Sequence, residues 1–133
     1  MRVSHDTHPQ ADILYFSTAT PDVGGSDILT APGVVVFVGA EDGHDIVGIE
    51  IMGASAYLPL GKKGYDAKTD TLMLGEKCAK PDLITKNDDF VAYWQIDEEF
   101  PDEGFLEPVG VAIKNASVHI ANMKILSREQ AVR

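Results

Sequence analysis

The N-terminal stretch HDTHPQAD sets His5, Asp6, His8 and Asp12 within eight residues. Imidazole and carboxylate donors in such proximity suit zinc or nickel, so His5, His8 and Asp12 form one candidate metal site. Pro9 follows His8 directly and prevents a helix from aligning His5 with His8. An exposed turn ahead of the first strand accounts for the same residues without a metal. A second cluster is DEEFPDEGFLEP, in which Asp97, Glu98, Glu99, Asp102, Glu103 and Glu107 supply six carboxylates with Phe100 and Phe105 between them. An EF-hand needs acidic ligands at alternate positions, then Gly, then Glu at the twelfth, and this spacing differs. The chemistry that fits is docking of a basic protein surface with Phe100 or Phe105 as anchor. The plainer alternative is a solvated loop whose apolar residues fold back onto the sheet.

Other reactive side chains lack companions. His44 and His119 have no base or nucleophile beside them in the sequence. Cys78 lies among Lys77 and Lys80, whose charges lower a thiol pKa only modestly. As the lone cysteine, it excludes an intrachain disulfide and a zinc site of paired cysteines. DVGGSD is glycine-rich but has no following lysine and helix to cradle phosphate, and reads as a turn. Neither a Gly-x-Ser-x-Gly elbow nor a His-Glu-x-x-His motif occurs. No catalytic residue is assigned and no cofactor is expected.

A net charge of −10 opposes binding to nucleic acid and to anionic membranes, both of which reward Lys and Arg. It leaves a basic protein as the charged partner of choice. The polar start, MRVSHDTHPQAD, has no apolar core of a secretory signal, and no apolar run reaches the roughly 20 residues of a membrane span. A cytoplasmic location is expected. With 44% apolar and 24% charged residues, the chain has an ordinary globular composition.

The elements that must position these groups come in two sets. GIEIMGASAYL at 48–58 returns as GVAIKNASVHI at 110–120, and ADILYFS at 11–17 as TDTLMLG at 69–75. SDILT at 26–30 matches PDLIT at 81–85, and PGVVVFVGAEDG at 32–43 matches DDFVAYWQIDEE at 88–99 in apolar character. Four blocks in the same order indicate a tandem duplication, with halves at 1–60 and 61–133. The blocks read as strands. Val47, Ile49 and Ile51 alternate with Gly48, Glu50 and Met52, as Phe90, Ala92, Trp94 and Ile96 alternate with Val91, Tyr93 and Gln95. GVVVFVG is apolar at every position and predicts a central strand covered on both faces. Asn115 is placed to cap a helix from its own side chain, GASAYLPLG allows one or two turns, and Ser127 with Gln130 has the spacing of a capping box.

The motifs YDAKTDTLML at 65–74, with Tyr65, Asp66 and Asp70, and IVGIEIMGAS at 46–55 resemble the opening and closing motifs of the Domain of Unknown Function 2283 family. The likeness covers nearly the whole chain, once per half. It departs at Thr7 and His8, which stand over Tyr65 and Asp66, and at Ala112, which stands over Glu50. It implies small units in tandem and no established activity.

The expected fold is mainly β: two homologous antiparallel four-strand units packed as a sandwich or flattened barrel, a short helix after each, sharing one core. The expected function is a non-enzymatic protein-binding module that acts through the 97–107 loop or a sheet edge. The alternative is a small-ligand- or metal-binding protein or enzyme with its site between the halves, using Asp12, Asp70 or the His5–His8 cluster. Edge strands also permit a homo-oligomer. Ser55 and Ser117 are expected to serve packing, as small residues that let a helix start close to the sheet.

Overall fold

The computed structural model describes residues 1–29, 31–76, 79–99 and 101–126. The first half forms the strands β1 (Arg2–Asp6), β2 (Ile13–Ser17), β3 (Val23–Ile28), β4 (Val34–Gly39) and β5 (Ile46–Met52). After these come β6 (Tyr65–Asp66), β7 (Thr71–Gly75), β8 (Leu83–Asn87), β9 (Phe90–Ile96) and β10 (Leu106–Lys114), then helix α1 (Ala116–Ala121) and β11 (Lys124–Leu126). Two sheets result, ordered β11-β1-β2-β5-β4-β3 and β6-β7-β10-β9-β8. Neighbours are antiparallel except β1 and β11, which run parallel.

The mainly β expectation holds, with three corrections. The sheets keep open edges and do not close into a barrel. They are not equal four-strand units, since one has six strands and the other five. β11, from the end of the chain, joins the sheet built by the first half, and β1 is a strand where the sequence suggested an exposed turn. Its signal was faint, because Val3 is the one buried apolar residue of its alternation. Finally, among the described residues only the second sheet is followed by an α-helix. The first ends in a single 3-10 turn, Ala54–Ala56, because Pro59 cannot continue a helix.

Leu14, Phe16, Val36, Ile49 and Ile51 from the first sheet meet Leu72, Leu74, Phe90, Trp94, Val111 and Ile113 from the second in one buried cluster. Polar bonds tie the sheets where the cluster ends. Thr85 Oγ1 donates to the His44 carbonyl at 2.6 Å and Asn87 Nδ2 to the Ile46 carbonyl at 3.0 Å, while within the second sheet Trp94 Nε1 donates to Thr85 Oγ1 at 3.0 Å.

Both long inner strands carry a β-bulge at the same place. The register shifts across Val47 in β5 and across Val109 in β10. A bulge adds one residue and resets the alternation, so Ile46, and not Val47, joins Ile49 and Ile51 in the core. DVGGSD, expected as a turn, is most of β3, with its own register shift between Val23 and Gly25. Glycine fits there because a Cβ on Gly24 would lie 2.7 Å from Ala40 Cα, and an edge strand tolerates such a break. GVVVFVG does become an inner strand, β4, but only its core face is covered. Val34, Val36 and Val38 are buried while Val35 and Phe37 remain half-exposed.

Candidate functional site

Asp12 and Asp70 each enter a strand, β2 and β7, from a left-handed backbone, with φ of 43° and 50°. Asp tolerates this region better than most residues. The turn aims each carboxylate at the end of the neighbouring strand. Asp12 Oδ2 accepts from the Ser55 hydroxyl at 2.6 Å and from the Ser55 N–H at 2.9 Å. Asp70 accepts from the Ser117 hydroxyl at 2.7 Å and the Ser117 N–H at 2.9 Å. The Asp12 and Asp70 carbonyls take the N–H groups of Ala54 and Ala116. An aromatic ring completes each set, with His5 Nε2 2.9 Å from Asp12 Oδ1 and the Tyr65 hydroxyl donating to Asp70 Oδ1 at 2.7 Å.

This geometry revises several expectations. Asn115 occupies the N-cap of α1, but in the left-handed region and without a side-chain cap bond, as does Gly53 ahead of the 3-10 turn. The cap comes instead from Asp70, 47 residues distant in sequence. Ala54 and Ala116 do pack as small residues, fully buried, whereas Ser55 and Ser117 are polar clips. His5 pairs with Leu14 as Tyr65 pairs with Leu72. His5, rather than Thr7, therefore stands over Tyr65. Likewise Asp27 and Thr85 both face the matching core positions Val36 and Ala92, a register three residues from that of the SDILT and PDLIT match. The signal in the sequence was the identity of Asp12 with Asp70 and of Ser55 with Ser117, alongside Leu14 with Leu72, Gly48 with Gly110, Ile51 with Ile113 and Ala54 with Ala116.

Ser, Asp and His in contact suggest nucleophilic catalysis, but the order is wrong. An activated serine needs the imidazole against its hydroxyl with the carboxylate behind. Here Asp12 lies between, touching both. The Ser55 hydroxyl, followed by His5 and the Ser55 N–H, lowers the Asp12 pKa from 3.8 to about 2. A carboxylate held so firmly ionised is a poor base. Asp70 is lowered by Ser117 first and then Tyr65, and the hydrogen bond to Asp70 raises the Tyr65 pKa. Both carboxyls have folded pKa values below their unfolded ones. Their contribution is complete above the ordinary value of 3.8 and is lost as pH falls through about 2 for Asp12. Chemical denaturation across that window should show wild-type stability falling further than that of an Asp12→Asn/Asp70→Asn variant. Equal falls would sink this assignment.

The two clipped turns flank one hollow of about 520 Å³. Leu58, Pro59 and Leu60 line it from the first turn, and Ile120, Ala121 and Met123 from α1 and its exit. Ser55, Ser117 and His5 are its polar residues. Ser55 with Ser117 and Leu58 with Ile120 hold matching places, so the hollow lies where the two sheets present the same feature to each other.

The structure brings His5 and Asp12 together but leaves His8 apart. His8 sits in the β1–β2 turn, where its Nδ1 accepts from the Gln10 N–H at 3.2 Å. Among the described residues no group of three His, Cys, Asp or Glu side chains is placed to hold a metal ion. In the acidic loop, Asp97 accepts from the Glu99 N–H and its own N–H donates to the Phe105 carbonyl. Glu98, Glu99, Asp102, Glu103 and Glu107 are exposed, and Phe105 is 60% exposed instead of folding back. Phe100, Cys78 and the Ser127–Gln130 capping box lie outside the described residues. His119, which the sequence left without a partner, has Nε2 2.6 Å from Asp89 Oδ2. His44 packs edge-on to Trp94 at 5.0 Å.

Compared with known proteins, the chain matches no family model, no curated protein and no solved structure. Among the described residues no helix is long and apolar enough to cross a membrane.

Proposed function

We propose that this chain is a non-enzymatic binding protein, formed by duplication of one β unit, whose site is the hollow between the two Asp-clipped turns. The duplication is supported by the paired bulges, the paired left-handed aspartates and the paired serine clips. It is also what the resemblance to the Domain of Unknown Function 2283 family implies. The observation that carries the functional reading is the lining of the hollow, six apolar residues around two serines and a histidine. Small-molecule sites are of this kind, mainly apolar with a few fixed polar groups. The ligand class follows from the electrostatics. Each serine hydroxyl already donates to an ionised carboxylate, so what it offers a ligand is an acceptor oxygen with negative charge behind it. A neutral, mostly apolar molecule carrying a hydroxyl fits, and a carboxylate does not.

Titration with Nile red, a neutral apolar dye, tests this. Saturable fluorescence enhancement is expected, with 1-decanol displacing the dye at least tenfold better than decanoate. Ala121→Glu, an exposed position, should abolish binding while the far-UV circular dichroism stays unchanged. Absence of saturable binding, or binding unaffected by Ala121→Glu, overturns the reading.

A second reading rests on Phe105. An apolar ring 60% exposed among carboxylates is a suitable anchor for a basic protein surface. Retention of a partner from native lysate by the wild type, and its loss when Asp97, Glu98, Glu99, Asp102, Glu103 and Glu107 become amides, would support this reading.

A further inference from the structure

Among the described residues no layer covers the outer face of the six-stranded sheet, yet it is built like a core. Across four adjacent strands, Tyr15, Glu50, Val35 and Ile28 stand in one row. Ile13 pairs with Met52 in the next row, and Phe37 with Gly48 on the other side. Tyr15 and Phe37 meet edge-on over Gly48 at 5.9 Å. Ile28 is 80% exposed and Met52 51%.

The outer face of the five-stranded sheet provides an internal control, because its register is the same. Thr71 pairs with Lys114 where Ile13 pairs with Met52, and Lys86 faces Val91 where Ile28 faces Val35. The middle of both faces is apolar, with Met73, Val91 and Tyr93 where Tyr15, Val35 and Phe37 stand, but the positions around it are Thr, Lys and Lys on this face and Ile, Met and Ile on the other. Strand architecture does not require the apolar set. Scattered exposed apolar residues are ordinary, but a contiguous patch of this kind marks an interaction surface.

We infer that this face, centred on Tyr15, Phe37 and Met52, is the interface of a symmetric dimer formed with a second copy of the chain. Charge selects that occupant. The chain carries −10 overall, so most approaches between copies are repulsive. On this face Arg2 and Lys124 balance Asp6 and Glu50, and Arg2, Ser4, Tyr15 and Lys124 line one hollow at its side. A second acidic copy meets no net repulsion there, and a basic partner finds no net attraction. Area agrees. Six strands about 4.8 Å apart, each of roughly five residues rising ~3.3 Å, span on the order of 500 Å² in projection. Upright side chains raise the accessible area above that projection, toward the ~600–1,000 Å² per partner that stable interfaces bury. A two-fold axis makes such a patch its own complement, and two sheets packed face to face at about 10 Å are a standard arrangement.

Sedimentation equilibrium at micromolar concentration tests the inference with three proteins. Wild type should give the mass of two chains. The variant Ile13→Thr/Ile28→Lys/Met52→Lys borrows the residues that the other sheet already carries, so its fold should persist, and it should give the mass of one chain. Met52→Lys alone, at an exposed position, should raise the dimer dissociation constant about tenfold or more. All three should share one far-UV circular dichroism spectrum. A single-chain mass for wild type, or a triple variant that dimerises as wild type does, overturns the proposal.

Discussion

Gly110→Ala will destabilise the fold by about 3 kcal/mol, whereas Gly48→Ala, at the matching place in the other sheet, will cost no more than about 1 kcal/mol. The difference comes from what each new methyl meets. A Cβ on Gly110 would run into the Glu76 carbonyl oxygen, with the Glu76 carbonyl carbon at 2.8 Å. Backbone cannot yield there, because Glu76 N–H donates to the Val109 carbonyl at 2.9 Å and Gly75 already holds a φ of 75°. At Gly48 the nearest atom is the Tyr15 hydroxyl at 2.9 Å, the tip of a side chain that can swing away. Alanine also restricts the unfolded chain at either site, which offsets part of the smaller cost. Urea denaturation midpoints, read with an unchanged slope, measure both. Equal losses for the two variants would show that the close approach of β10 to the Glu76 backbone does not set the cost.

The second large effect is expected at the aspartate clips. Asp12→Ala should cost about 2 kcal/mol, roughly 1 from the lost cap and about 1 from leaving alanine in the left-handed region. Asp12→Asn keeps an acceptor and tolerates that backbone, so its cost should be clearly smaller. Ser55→Ala should cost about 1 kcal/mol alone and almost nothing once Asp12 is alanine, since both changes remove the same bond. Asp70 and Ser117 should behave in the same sense. A four-variant denaturation cycle at neutral pH reads the coupling directly. If Asp12→Ala and Ser55→Ala simply add, the clip is not the stabilising unit described above.

Much of the strand content was legible because a pleated strand with one buried face must alternate. Phe90, Ala92 and Trp94 show it, all buried, with Tyr93 outward and half-exposed. The pairing of Asp12 with Asp70 and of Ser55 with Ser117 was also visible as identity between matching blocks, but its purpose was not. A cap that reaches across 43 residues, as Asp12 does to Ser55, leaves no local spacing to read, so Asn115 looked like the capping residue. The edges were the hardest part. β3 contains two glycines and reads as a turn, and β1 and β11 are held by backbone pairing that their sequences barely signal.

The alternation, the acidic balance and the lone cysteine were legible from the sequence alone, since each is a property of residue type and order. The tertiary structure decided which alternating faces meet in a core and which stay open. It brought His5, Asp12 and Ser55 into contact and left His8 outside. It also turned GVVVFVG, apolar on both sides, into a strand that buries Val34, Val36 and Val38 and leaves Val35 and Phe37 half-exposed. The reason is physical: burial and long-range hydrogen bonds depend on which strands become neighbours, and β-sheet pairing between distant segments is written in no local pattern.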